Sequence, residues 1–390
     1  MPSYNFDQMP SNRRATESEK WLKYDADVLP MWVADMDFIS PAPVIEALHK
    51  RVEHGVFGYP ESTTDPNDLK EFRQLMVERM ATLYQWNIKP ADIIFLPGVV
   101  VGFNLACQAF GKPGERVMIQ PPVYPPFLFA HHNAGMIRQD APLQRQPDGS
   151  YIIDWDAFHS ACAQDTRMFI LCNPHNPVGR VFHHGELKRM AEICLEHHVT
   201  ICSDEIHCDL IYRGHKHIPI ASLSPEIGQN TITLIAPSKT FNLPGLQCSM
   251  AIIQNEEMRN KYIHQFHGVV SWVNVMGLVA AQAAYRDGQE WLDQMRLYLE
   301  ANRDYLYDYV QREMPRIKMV KPEGTYLAWL DCREAGIEGK PYDFFIKQAK
   351  VALNDGGTFG KEGDGFVRLN FGCPRSMLTE ALERMKRAIQ

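Results

Sequence analysis

The 390 residues contain no C-x-x-C pair, no block of basic residues and no apolar run long enough to span a membrane. Nine cysteines, an odd number, are spread through the chain as Cys107, Cys162, Cys172, Cys194, Cys202, Cys208, Cys248, Cys332 and Cys373. That pattern excludes a disulfide scaffold and a paired zinc motif, and reads as reduced core thiols in a cytoplasmic protein. With no Lys/Arg cluster and a formal charge of −7, a nucleic-acid surface is excluded, while a small anionic substrate stays open. The first twenty residues lack both the apolar core of a secretory leader and the acid-free, Arg-rich pattern of a transit peptide. The longest nearly apolar stretch, 272–285, includes Asn274 and Gln282 and predicts a buried helix rather than a membrane anchor. Metal chemistry is not expected either. The histidine pairs His131-His132, His183-His184 and His197-His198 are adjacent, so their side chains point apart, and His215 and His217 have no ligand-spaced carboxylate or cysteine beside them.

A 45% hydrophobic, 22% charged composition is that of an ordinary globular protein long enough for two domains. From about residue 90, short apolar runs at 93–96, 117–120, 168–172, 200–203, 231–235 and 250–253 alternate with amphipathic stretches such as 99–110 and 186–198. Alternation of this kind predicts a mainly parallel sheet covered on both faces. Beyond residue 287 the pattern changes to a long helix over 289–313, striped by Trp291, Met295, Leu299, Leu306 and Val310, and stopped by Pro315. Strands at 326–330 and 366–370 and helices at 342–350 and 377–389 follow. The expected organisation is a large α/β domain over 46–287, a smaller α/β domain over 288–390, and an N-terminal segment, 1–45, folding back onto the smaller one.

The unusual residues fall directly after predicted strands. Pro97-Gly98, Pro121-Pro122-Val123-Tyr124, Asn173-Pro174-His175-Asn176, Asp204-Glu205 and Ser238-Lys239 all occupy such positions, and in open α/β sheets ligands bind beyond the strands' carboxyl ends. Gly98 before a helix that opens with Val99 and Val100 offers backbone N–H groups to a phosphate, although most glycines so placed bind nothing. Tyr124 is either a stacking face for a flat cofactor or a packed loop aromatic. Asp204, buried at a strand end, needs a partner such as a protonated ring nitrogen. Lys239 lies among Ile235, Ala236, Phe241 and Leu243. It either snorkels to solvent or is desolvated into a nucleophilic amine.

Four runs, Asn-Pro-His-Asn-Pro-Val-Gly, Ser-Asp-Glu-Ile-His, Ser-Lys-Thr-Phe-Asn and Phe-Val-Arg-Leu-Asn, together resemble the aspartate-aminotransferase superfamily of pyridoxal 5′-phosphate (PLP) enzymes over essentially the whole chain. Val-Ala-Asp-Met-Asp-Phe (33–38), His-Gly-Val-Phe-Gly-Tyr (54–59) and Gly-Cys-Pro-Arg (372–375) resemble its cystathionine β-lyase and C–S lyase subgroup. The resemblance implies fold type I, with a seven-stranded, mainly parallel sheet. It implies that Lys239 carries PLP and acts as base, that Asp204 holds the ring nitrogen, that Asn176 bonds the phenolic oxygen and that Tyr124 stacks. Val99, Val100 and Ser238 would hold the phosphate, helped by Tyr59 from a second subunit of a homodimer with shared sites. Arg368 would clamp the substrate carboxylate beside Ala34, and His207 would border the cofactor. Three positions depart from the wider pattern. Ala236 replaces a serine, Gln247 replaces a phosphate-binding arginine, and His207 replaces a tyrosine.

The implied activity is α,β-elimination on L-cystathionine or L-cysteine-type substrates. An aminotransferase uses the same residues and remains the alternative, as does a PLP-fold protein with an added regulatory binding role.

Overall fold

The computed structural model describes residues 4–10 and 12–390; of the 1–45 segment, Met1, Pro2, Ser3 and Ser11 lie outside the described residues. A seven-stranded sheet forms its centre, in the spatial order Ile93–Leu96, Ser249–Ile252, Thr231–Ile235, Thr200–Asp204, Thr166–Cys172, Arg116–Ile119 and Ile137–Asp140. Every strand but Ser249–Ile252 runs the same way; that one is antiparallel to both neighbours. The central strands are buried at nearly every position, as expected for parallel strands covered on both faces. Ile137–Asp140 was not expected. It is an edge strand with only partly buried or exposed residues, so it has no apolar run to betray it.

Helix Val99–Phe110 matches its expected span. The buried helix expected over 272–285 instead covers Val275–Asp287, because Asn274 accepts the Met276 N–H at 2.8 Å and starts the helix there. Trp272 is left exposed in the preceding loop. Helix Gln289–Glu313 buries Trp291, Met295, Leu299, Leu306 and Val310 as one stripe. The helix expected over 342–350 is a short α-helix, Pro341–Phe344, that widens into a π-turn over Phe345–Ala349.

A three-stranded antiparallel sheet, in the order Leu327–Asp331, Phe366–Asn370, Asn354–Asp355, stands beside this second group of helices. From the N-terminal segment, Leu29–Pro30 pairs with Val351–Ala352. One apolar cluster runs from Met31 and Phe38 through Trp291 and Leu299 to Leu369 and Met385. No helix among the described residues is long and apolar enough to cross a membrane.

Candidate active site

Sheet register assembles the site. Cys172, Asp204 and Leu234 lie level on three adjacent parallel strands. The loops leaving the outer two therefore carry Asn176 and Lys239 to either side of Asp204. A cleft of about 1260 Å³ opens there, beyond the strand ends. Ala34, Val99, Val100, Tyr124, Asn176, Asp204, His207, Ser238, Lys239 and Arg368 all line it. Tyr59 does not. It is 85% exposed and packs edge-on against Trp272, with ring centroids 4.5 Å apart.

Lys239 sits in the one-turn helix Pro237–Thr240 that follows strand Thr231–Ile235. Its Nζ donates to the Ala34 carbonyl at 2.6 Å. Loss of water around the amine, reinforced by the positive Arg368, pulls its pKa down to about 8 against the opposing pull of Asp35 and Asp204. Asp204 ends its strand, buried, and its Oδ1 accepts the Ile206 N–H at 3.1 Å. Desolvation pushes this carboxyl up to about 7, with Glu205 adding to the rise. Among the described residues no side-chain donor satisfies it.

Arg368 lies in the middle strand of the small sheet, level with Trp329 and Asn354. Its Nη1 donates to Asn176 Oδ1 at 3.1 Å and its Nη2 to Asn354 Oδ1 at 2.7 Å. Both partners are neutral amides, so the guanidinium charge is uncompensated, and burial lowers its pKa to about 10. Nε has no partner. His207 is held neutral, its pKa lowered to about 3 by burial and by the nearby Lys239 and Arg368. Burial raises the Tyr124 hydroxyl, and the Asp204 carboxyl raises it further.

At the other end, Gly98 caps the twelve-residue helix Val99–Phe110 with no side chain satisfying its first turn and no acidic residue there. A Cβ at Gly98 would meet nothing within 4 Å. Free N–H groups at a positive helix end, facing open space, suit a phosphate.

The segment 33–38 forms the wall between Lys239 and Arg368. Asn242, three residues after Lys239, accepts the Met36 N–H at 2.9 Å and donates to the Met36 and Phe38 carbonyls at 2.8 and 2.9 Å. Asn370, two residues after Arg368, donates to the Val33 and Asp35 carbonyls, each at 2.7 Å. Tyr326 Oη shares the Ala34 carbonyl with Lys239, at 2.8 Å. Sequence reasoning missed Asn242, Asn370, Asn354 and Tyr326, although the first two stand inside the motif runs that carry Lys239 and Arg368. Losing the Asn370 side chain would take one of two donors from each carbonyl, since Val33 O also accepts the Asp35 N–H at 2.9 Å and Asp35 O the Lys20 Nζ at 3.1 Å, at a cost on the order of 0.5–1.5 kcal/mol per bond.

The residues fit a phosphorylated, flat, nitrogen-containing ring that bears an aldehyde. An amide-lined anion site, an aromatic side chain, an unpaired buried carboxyl and a desolvated amine line one cleft. Comparison with known proteins agrees. The aminotransferase class I and II family matches residues 27–385, and the chain belongs to that family. Its fold is that of the fold type I PLP-dependent transferases. More narrowly, it is 40% identical to the cystathionine beta-lyase PatB of Bacillus subtilis (strain 168), over 99% of this chain and 100% of that one. Cystalysin from Treponema denticola, whose crystal structure contains a pyridoxal 5′-phosphate cofactor, is 33% identical with a TM-score of 0.93 over 99% of each chain. A PLP-bound C–S lyase from Staphylococcus hominis is 32% identical with a TM-score of 0.92, again over 99% of each chain.

Proposed function

We propose that this chain is a PLP-dependent carbon–sulfur lyase that catalyses α,β-elimination on L-cystathionine and related β-thio amino acids, releasing a thiol, pyruvate and ammonia. The observation that carries this reading is the charge inventory of the cleft. Four Lys or Arg side chains line it: Arg13, Lys20, Lys239 and Arg368. Arg13 is paired with Asp35 at 3.0 Å and Lys20 with Asp37 at 2.7 Å. With Lys239 committed to chemistry, Arg368 is the one free cation among the described residues of the cleft. It serves one carboxylate, and a second, side-chain carboxylate of the kind a dicarboxylate transaminase binds finds no free partner. The names of the relatives support the same choice.

Bound here, PLP supplies an aldehyde for the amine and a protonated ring that draws electrons from the substrate Cα. The residues do the rest. Asp204 holds the ring N–H with its carboxylate. Arg368 receives the α-carboxylate in a charge-assisted pair, and Asn176, whose Oδ1 serves Arg368, keeps Nδ2 to donate to the ring oxygen. Tyr124 covers the ring. Lys239, with a pKa of about 8, is in part unprotonated near neutrality and takes the Cα proton at Nζ. The Cβ–S bond then breaks, the electron pair leaves with sulfur, and the thiolate takes up a proton. The three-carbon enamine that remains hydrolyses in water to pyruvate and ammonia.

The test compares substrates. The protein is expected to form pyruvate from L-cystathionine far faster than it transaminates L-aspartate, and the reverse order would replace the lyase reading with the transaminase one. Arg368→Ala is expected to raise KM for L-cystathionine by about 30-fold or more, the loss when one partner of a buried charge pair is removed, with the cofactor absorbance retained. An unchanged KM would move the carboxylate site elsewhere.

The same reading includes a homodimer with shared sites, located in the cytoplasm. All nine cysteines are buried and unpaired, as suits a reducing compartment. Among the described residues, the phosphate end of the cleft offers amides, Ser238 and Gln247 but no free cation. Exposed Val56, Phe57, Tyr59, Val269 and Trp272 provide an apolar surface for a second copy, and Val269 also lines the cleft. A Tyr59→Ala chain mixed with a Lys239→Ala chain is therefore expected to recover activity that neither homodimer has. Verified heterodimers without recovery would remove Tyr59 from the shared site.

A further inference from the structure

The far edge of the large sheet carries a second cluster of chemistry. Helix Trp155–Cys162 leads into strand Thr166–Cys172, and helix His184–Glu196 leads into strand Thr200–Asp204. Those strands are parallel neighbours, and both helices bury their apolar sides in the same cluster, through Phe158, Ala161, Leu187 and Met190. Their carboxyl ends therefore come together at the edge opposite the cleft. Arg189 stacking on Trp155 at 4.2 Å keeps the pair aligned.

His159 lies in the last turn of the first helix, and His197 caps the second, directly after Glu196. Their Nε2 atoms face each other at 3.4 Å, and a Glu196 carboxylate oxygen lies with them in a set whose atoms are all within 4.8 Å of one another. Among the described residues this is the one group of three such ligands. A spacing of 3.4 Å is long for a hydrogen bond between nitrogens. It is the spacing of two nitrogens on one tetrahedral zinc ion, where bonds of about 2.0–2.1 Å set the ligand atoms about 3.3–3.4 Å apart. Two converging helix carboxyl ends add negative potential, and so does the carboxylate, which favours a cation. Glu196 is exposed, so its side chain is free to rotate the remaining distance.

We propose that His159, His197 and Glu196 form a surface site for a borderline divalent cation of the zinc class, with water as the fourth ligand, separate from the catalytic cleft. Two imidazoles and a carboxylate select zinc-like ions over calcium or magnesium, which prefer all-oxygen shells. Sequence spacing hides the site. His159 is remote from Glu196-His197 along the chain, and His198, the neighbour that made the pair look unproductive, is not part of it.

The experiment uses holoenzyme freed of metal by a chelator, dialysed against micromolar zinc chloride and assayed for retained zinc, beside His159→Ala and Glu196→Gln. All nine thiols are buried, and zinc held by the cofactor is common to all three proteins, so the difference isolates this site. Wild type is expected to retain one equivalent more than His159→Ala, and Glu196→Gln to bind more weakly than wild type. Lyase turnover and circular dichroism of His159→Ala are expected to match wild type, since the side chain is exposed and far from the cleft. Equal zinc in wild type and His159→Ala, or none in either, overturns the proposal.

Discussion

Lys239→Ala is expected to lower pyruvate formation from L-cystathionine by about 10⁴-fold or more, because one substitution removes both the covalent anchor and the base. The side chain contributes little to the fold. Its single hydrogen bond goes to the Ala34 carbonyl, which keeps Tyr326 Oη as a donor, and its amine is desolvated at a cost. The variant should therefore fold and retain native circular dichroism. Addition of a small primary amine is expected to restore part of the activity, a response that structural damage does not produce. Turnover within tenfold of wild type would remove Lys239 from the chemistry.

Asp204→Asn is expected to lower kcat by about 10²–10³-fold, the scale seen when one preorganised electrostatic partner is lost. The neutral amide keeps the size of the side chain but no longer stabilises a protonated ring nitrogen. Without cofactor the same change has the opposite sign for stability. The Asp204 carboxyl rises from an ordinary value of 3.8 to about 7 on folding. Its favourable contribution is therefore fully present only below about pH 4 and is lost as pH climbs to about 7. Above that window the folded apoprotein carries a buried carboxylate with no contacting ion-pair partner among the described residues, and the pull of the Lys239 amine does not offset its desolvation. Apo Asp204→Asn is expected to have a Tm at pH 8 equal to or above that of apo wild type, an advantage that shrinks toward pH 4. A kcat near wild type, or a lower apo Tm at pH 8, would mean that Asp204 does not face the ring nitrogen unpaired.

Much of the fold could be read from periodicity where burial is one-dimensional. Strands Ile93–Leu96 and Thr231–Ile235 and helices Val99–Phe110 and Gln289–Glu313 have the spans expected of them, because each is a local run of apolar residues bounded by Pro, Gly or a cap. What escaped depends on neighbours distant in sequence. Ile137–Asp140 is polar because it lies at an edge, and the reversal of Ser249–Ile252 is a matter of pairing. In the cleft, chemistry-bearing types after strand ends were visible: Asp204, Lys239, Asn176. The groups that hold them in place were not, since the Ala34 contact is a backbone carbonyl, and Asn242 and Asn370 act on a wall some two hundred or more residues away along the chain. Tyr59 could be noticed as part of a motif, but a single chain leaves it facing solvent.

Borohydride reduction of the purified yellow protein, followed by proteolysis and mass mapping, tests the centre of this account most directly. The amine that is desolvated, lies at the strand-end cleft and stands beside Asp204 is the Lys239 Nζ, so the reduced phosphopyridoxyl group is expected on the peptide containing Ser238-Lys239-Thr240. A label on another lysine, or no covalent label, would contradict it.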